Sequence, residues 1–365
     1  MVELWFGIVA VMLAVYVVLD GFDLGAGALH LILARDDGER RQVLAAIGPF
    51  WDGNEVWLLA SGGALLVAFP KVLASGLSGF YLAIFLVLWA LLARGISIEF
   101  RSHVRSPLWR AFWDAAFSGS SALLCILLGA ALGNILRGLP LGPDGWFSLP
   151  LFTDFTARMP VGILDWYTLL VAVFTATALA AHGATFLSWK TGGPVRDRAR
   201  LLARRLLLAV AAGWPVVTIA TRSVDPAFFA GFVGRPLAWL SGLLALGGLV
   251  AANIAVRRGR ELAAFLGSCA FLAGVLAATA AGMFPVLLRD PAGVASITAY
   301  AAANEAGSLR VALSWFLVGM PLAIAYTTIV FRMHRGKAVA AADGEGTDQC
   351  QCRCACPCPW YHPGL

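Results

Sequence analysis

The chain has 365 residues, of which 60% are hydrophobic and only 13% charged, with a formal net charge of +6. Soluble domains carry roughly a quarter charged residues, so a water-soluble enzyme, a disordered chain and a small disulfide scaffold are all excluded; a polytopic membrane protein remains. The basic residues sit between apolar blocks, which makes the positive charge a matter of topology and not of nucleic-acid binding.

The apolar blocks predict an all-α protein with about nine spanning helices. The first, Leu4–Leu33, has no basic residues before it and outruns a signal-peptide core, so it reads as a retained span. Within it Asp20 and Asp23 share one helix face, continued by Gly27 and His30, while Gly21 and Gly25 form a small-xxx-small pair suited to close helix approach. Ionisable residues inside a span cost several kcal/mol, which makes them functional candidates by default; polar glue between helices is the competing account.

The run Gly48-Pro49-Phe50-Trp51-Asp52-Gly53-Asn54-Glu55 leads into the second span, Asn54–Leu73. Pro followed by acidic residues is also ordinary helix N-terminal chemistry, and that bland account weighs more for Glu55 than for Asp52. Trp51 and Trp57 suit interfacial anchors. A short turn around Pro70-Lys71 predicts a tight hairpin with the third span, Leu77–Ser97. Near that span's end come Arg94, Glu99 and Arg101. Arg94 follows a long apolar run and could snorkel to the surface, and Glu99 and Arg101 could form a surface pair. With Asp20, Asp23 and Asp52 they also suit a one-sided carboxylate series with an arginine for charge balance.

The fourth and fifth spans are Phe112–Leu136 and Ile163–Ser188, joined by a Pro-, Gly-, Trp- and Phe-rich segment expected at the membrane interface. His182 lies in the fifth. It and His30 are the only histidines within spans, and each reads as an inert, hydrogen-bonded group, with no c-type haem attachment motif and no metal site expected in the membrane part. Leu202–Arg222, Pro236–Val256, Leu262–Leu288 and Val311–Met333 complete the set. Residues 336–365 read as a disordered tail in which Cys350, Cys352, Cys354, Cys356 and Cys358 alternate without a zinc-finger spacing.

Most Lys and Arg residues fall at one end, in the connections 1–2, 3–4, 5–6 and 7–8 and after the last span. Only Lys71, Arg137, Arg158, Arg222, Arg235, Arg289 and Arg310 face them. The positive-inside rule then places the N-terminus of the 1–335 membrane domain outside and its C-terminus in the cytoplasm.

Several ordered motifs carry a family resemblance: GFDLG after Asp20, PFWDGNEVWLLASGGALLVAFP from Pro49, SGFYLA from Ser78, HGATFL from His182 and GMFP from Gly282. Over most of residues 1–335 the chain resembles subunit II of cytochrome bd-type quinol oxidases; the tail does not. The resemblance implies a haem-free subunit of two four-helix bundles plus a peripheral helix. Its partner would be a haem-bearing subunit I with haem b, haem d and the quinol site, with membrane lipid and small accessory subunits as further partners. The complex would sit in the bacterial inner membrane, oxidise quinol and reduce O2 to water with cytoplasmic protons. Positions matching Asp23, Asp52 and Arg94 are implicated in proton supply or in keeping the haem d region intact; Asp20, Trp51 and Glu99 join them from position and chemistry. Glu55 stands where relatives have a neutral amide. A proton- or cation-coupled secondary transporter is the alternative, and a purely structural polar cluster is a third account.

Overall fold

The computed structural model describes residues 1–293 and 295–338, so the cysteine-rich run from Cys350 to Cys358 lies outside the described residues. In hydrocarbon every backbone N–H and C=O must pair within its own segment, and the apolar runs accordingly form helices. They begin with α1 (Val2–Ala28), α2 (His30–Leu33), α3 (Asp37–Ile47), α4 (Trp51–Ala68), α5 (Pro70–Gly79), α6 (Tyr81–Phe100) and α7 (Pro107–Arg137). They continue with α8 (Trp166–Lys190), α9 (Gly193–Val224), α10 (Pro226–Val233), α11 (Pro236–Arg257) and α12 (Glu261–Met283). A two-stranded antiparallel hairpin of β1 (Val286–Leu288) and β2 (Ile297–Thr298) then leads to α13 (Ala299–Ala302) and α14 (Ala306–Met333).

Among the described residues, eight helices are long and apolar enough to cross a membrane: α1, α6, α7, α8, α9, α11, α12 and α14. The remaining expected span is α4. It has 18 residues, about 27 Å of rise, and opens with Asp52, Asn54 and Glu55, which lower its apolar content. It stops at Ala68 instead of running to Leu73, because Phe69 is held out of helical geometry ahead of Pro70. The expected tight turn to the third span is itself a helix, the ten-residue α5.

The connection between the fifth and sixth spans also differs from expectation. Only Thr191 and Gly192 separate α8 from α9, and the arginines assigned to a loop ride on the first turns of α9. Pro194 starts that helix, and Val195, Ala199, Ala203, Leu207 and Val210 give it a buried stripe from its first turn.

Helices α1, α4, α6 and α7 make one four-helix group and α8, α9, α11 and α12 a second. Helices α1 and α7 join them: α1 packs on α8 and α12 of the second group and α7 on α8. At the join, a Cβ on Gly25 would strike the Leu179 carbonyl, and one on Gly183 would strike the α1 backbone, so only glycine permits this approach. Phe22 stacks on Phe186 across the same seam with ring centroids 4.0 Å apart. Helix α14 lies outside both groups against α4, and Leu309 is its one buried residue.

The chain after α14 docks onto the α8–α9 turn: Lys190 Nζ donates to the His334 carbonyl at 2.6 Å, and Ala338 N–H to the Lys190 carbonyl at 2.7 Å.

Candidate functional site: a buried arginine shared by carboxylates

The first helix group carries charge in its interior. Asp20 and Asp23, one turn apart on α1, are 0% and 1% exposed, and Arg94 on α6 is 0% exposed. Arg94 splits its fork between two helices: Nη1 donates to Asp20 Oδ1 at 2.7 Å and Nη2 to Glu55 Oε2 of α4 at 2.9 Å. Planar, always-charged guanidinium suits this double duty, and pairing offsets the cost of holding charge away from water. The neighbouring Asp23 faces a neutral group instead: Asn54 Nδ2 donates to its Oδ2 at 2.8 Å and to the Leu19 carbonyl at 3.2 Å. Asp20 Oδ2, Asp23 Oδ1 and Arg94 Nε have no hydrogen-bond partner among the described residues. One guanidinium therefore pairs with two of three neighbouring carboxyl groups. Asp23 stands five residues before the end of α1 and Arg94 six before the end of α6, about 8 and 9 Å of helix rise from the Arg-rich end.

The structure brings together Asp20, Asp23 and Arg94 as expected of the series and separates the others. Trp51 is half-buried and lies over α6, its ring 3.2 Å from where a Cβ on Gly95 would stand, beside Arg94 in sequence. Asp52 is exposed and lines a cavity of about 340 Å³ between α4 and α14, with Trp57, Tyr326 and Thr327. Glu99 is exposed at the end of α6 and makes no ion pair with Arg101. Helical geometry explains the division at α4: Asn54 meets α1, Glu55 meets α6 and Asp52 is left on the α14 side. Glu55, given mainly a capping role above, is the α4 carboxylate that reaches the arginine.

A second buried network sits nearer the Arg-rich end. Asp114 of α7 accepts four hydrogen bonds: from Arg101 Nε at 2.6 Å and Nη2 at 3.1 Å, from Arg40 Nη1 at 3.1 Å, and at its Oδ1 from His30 Nε2 at 2.8 Å. Arg101 and Arg110 also reach Asp37, at 2.7 and 2.8 Å. The surface pair considered for Arg101 is thus replaced by a 1%-exposed guanidinium that ties α3 to α7. Burial works against the charged Arg101, but Asp114 and Asp37 outweigh it and raise its affinity for the proton. Asp114 went unnoticed in the sequence although it lies in the fourth apolar block, where the rule that picked out Asp20 applies equally.

His182 has both ring nitrogens engaged. Nε2 donates to the Val18 carbonyl at 2.9 Å, and Nδ1 lies 2.7 Å from Ser268 Oγ. His30 uses Nε2 on Asp114 and is enclosed edge-on by Phe117 at 5.3 Å. His182 thus has no free ring nitrogen, and His30 commits Nε2 to a carboxylate. At the opposite end Arg137 bridges Asp165, Asn134 and the Gly162 carbonyl, which ties the end of α7 to the N-cap of α8.

Comparison with known proteins gives a consistent result. The family model described as cytochrome bd terminal oxidase subunit II matches residues 1–334. The chain is 31% identical to a probable cytochrome oxidase subunit 2 of Haemophilus influenzae, over 89% of this chain and 91% of that one. It is 30% identical to the cytochrome bd-I ubiquinol oxidase subunit 2 of Escherichia coli K12, with the same coverage. Among solved structures, the bd oxidase of Geobacillus thermodenitrificans superposes with a TM-score of 0.72 at 17% identity, covering 92% of this chain and 98% of the matched one, a likeness of fold.

Proposed function

The chain belongs to the cytochrome bd terminal oxidase subunit II family, and from that membership we propose that its Arg94 cluster handles protons for the oxidase. It is a multi-pass subunit of an oxidoreductase complex in the bacterial cytoplasmic membrane, which leaves the transporter alternative without support.

The haem-dependent chemistry of the complex, quinol oxidation coupled to O2 reduction, takes place on groups held by the partner, the haem-bearing subunit I. The bound state of His30 and His182 supports that division of labour. This chain then supplies a scaffold and a proton station, with its Arg-rich end in the cytoplasm. The observation that carries the reading is the charge arrangement: one buried guanidinium, fixed between Asp20 and Glu55, beside Asp23 with one oxygen free of protein partners. Asp23, on a neutral amide, is the group that takes and releases the proton, and Arg94 holds the field around it. At the rim of the cluster, Asp52 beside α14, Trp51 over α6 and the exposed Glu99 are its candidate proton entrance or partner contacts.

Asp23→Asn tests this in the assembled oxidase. The amide keeps the shape and the reach of the side chain but carries no proton between states. Haem bands should be retained while O2 consumption falls at least roughly tenfold. Normal haem content with normal turnover would sink the proposal.

A further inference from the structure

We propose that protons reach Asp23 along the seam between α1 and α7, through His30 and Ser121. This deepens the reading of the Arg94 cluster and rests on it. Three buried polar atoms in this seam have no hydrogen-bond partner among the described residues: His30 Nδ1, Ser121 Oγ and Asp23 Oδ1. Their residues are 0%, 0% and 1% exposed, a setting in which unpaired polar groups are costly and rare.

The three fall in one row. Asp23 and Gly27 are four residues apart on one face of α1, about 6 Å of rise, and His30 opens α2 three residues further on, after the junction at Leu29. Ser121 of α7 fills the space that a Cβ on Gly27 would take, so its hydroxyl occupies the middle of the row. Helix α7 runs antiparallel to α1, and seven residues before Ser121 it places Asp114 against His30. Each gap is of the length that a side chain and one or two waters cover at about 3 Å per hydrogen bond.

The outer end of the row is equipped to hold a charge. Asp114, Arg101 and Arg40 face His30, and Asp114 carries the hydrogen bond to its Nε2. In the tautomer with its proton on Nδ1, the ring takes the incoming proton at Nε2 from the Asp114 side, and the carboxylate balances the imidazolium formed. Nδ1 then gives its proton to the Ser121 hydroxyl or its water, which passes one on to Asp23 Oδ1, and the ring returns to the first tautomer before the next proton. No electron moves and no bond other than N–H and O–H forms or breaks. The oxidase consumes the proton in reducing O2. Ser118, whose Oγ reaches the Ala28 carbonyl at 3.4 Å, and Phe117 wall the row.

Ser121→Ala is the direct test, because Ser121 Oγ has no hydrogen-bond partner to lose among the described residues. The complete oxidase is purified with S121A, with H30Q and, as a control, with S120A, whose hydroxyl bonds its own helix at Phe117. Expected are unchanged haem bands in all three, turnover lowered about tenfold in S121A and H30Q with an enlarged solvent isotope effect, and S120A like the parent. Turnover within twofold of the parent in S121A overturns the seam. If D23N is slow while S121A is normal, the cluster reading stands and this route falls. If both are normal, both fall.

Discussion

The two helix groups are built from the same apolar material and treat polar atoms in opposite ways. In α1, α4, α6 and α7 ionisable side chains are buried beside one another, and some of their atoms are left without protein partners. In α8, α9, α11 and α12 the interior polar atoms are closed off, with Arg198 Nε at the Arg-rich end of α9 as an exception: His182, Ser268 and Thr185 satisfy each other and the Val18 carbonyl of α1. There the helices approach through small residues, as where a Cβ on Gly267 or Gly274 would press into the α11 backbone. A fully satisfied network fixes a structure, whereas a cluster with spare hydrogen-bonding capacity can change state. The difference fits the proposal that the first group handles protons and the second is scaffold.

The sharpest way to break this contrast is at Arg94. Arg94→Gln removes the single cation shared by Asp20 and Glu55 and leaves two carboxylates facing apolar helices. Breaking a buried ion pair from one side costs about 3–5 kcal/mol, so the assembled complex should be recovered in much lower yield with little haem. R94K keeps the charge but not the fork and should fall between the two. Parent-like assembly and turnover of R94Q would show that the charge is incidental.

His182→Ala probes the other side. It empties a buried ring site and strips partners from Ser268 and the Val18 carbonyl, at a cost of about 1–3 kcal/mol. The expected result is a lower unfolding temperature with turnover per haem unchanged. Slow turnover in a fully assembled H182A oxidase would mean that the second group takes part in the chemistry after all.

How much of this was legible in the sequence follows the same division. Spans and their polar interruptions are local patterns, so α1, α7 and α12 and the presence of Asp20, Asp23 and Arg94 within spans could be read directly. The small-xxx-small signal at Gly21 and Gly25 pointed correctly to a close helix contact, although not to Gly183 as its partner. What the sequence hid depends on which way a side chain points from a helix whose neighbours are unknown. Asp52 and Glu55 lie three residues apart in one polar run, and only the positions of α6 and α14 decide that Glu55 meets the arginine. The α3 and Asp114 network was hidden for the same reason, since it joins residues 64 and 73 positions apart.

The smallest expected effect lies where the two groups touch at the Arg-rich end. Glu39 of α3 pairs with Arg198 of α9 at 2.5 Å and accepts from the Arg35 N–H at 2.6 Å. Partial burial pushes its carboxyl up, but hydrogen bonds from Arg198 and Arg35 outweigh burial and hold it below the usual glutamate range. A carboxylate whose folded-state value is depressed contributes stability that is complete above its unfolded value, near 4.3, and lost as pH falls through the folded one. Glu39→Gln should therefore lower the unfolding temperature of the complex at pH 7, by an amount worth at most about 1 kcal/mol for a pair near the surface. The gap should close as pH drops below about 4. Because α3 belongs to the charged group and α9 to the closed one, a gap that persists unchanged in acid would mean that Glu39 acts through packing, and that the groups are joined at this end by shape and not by charge.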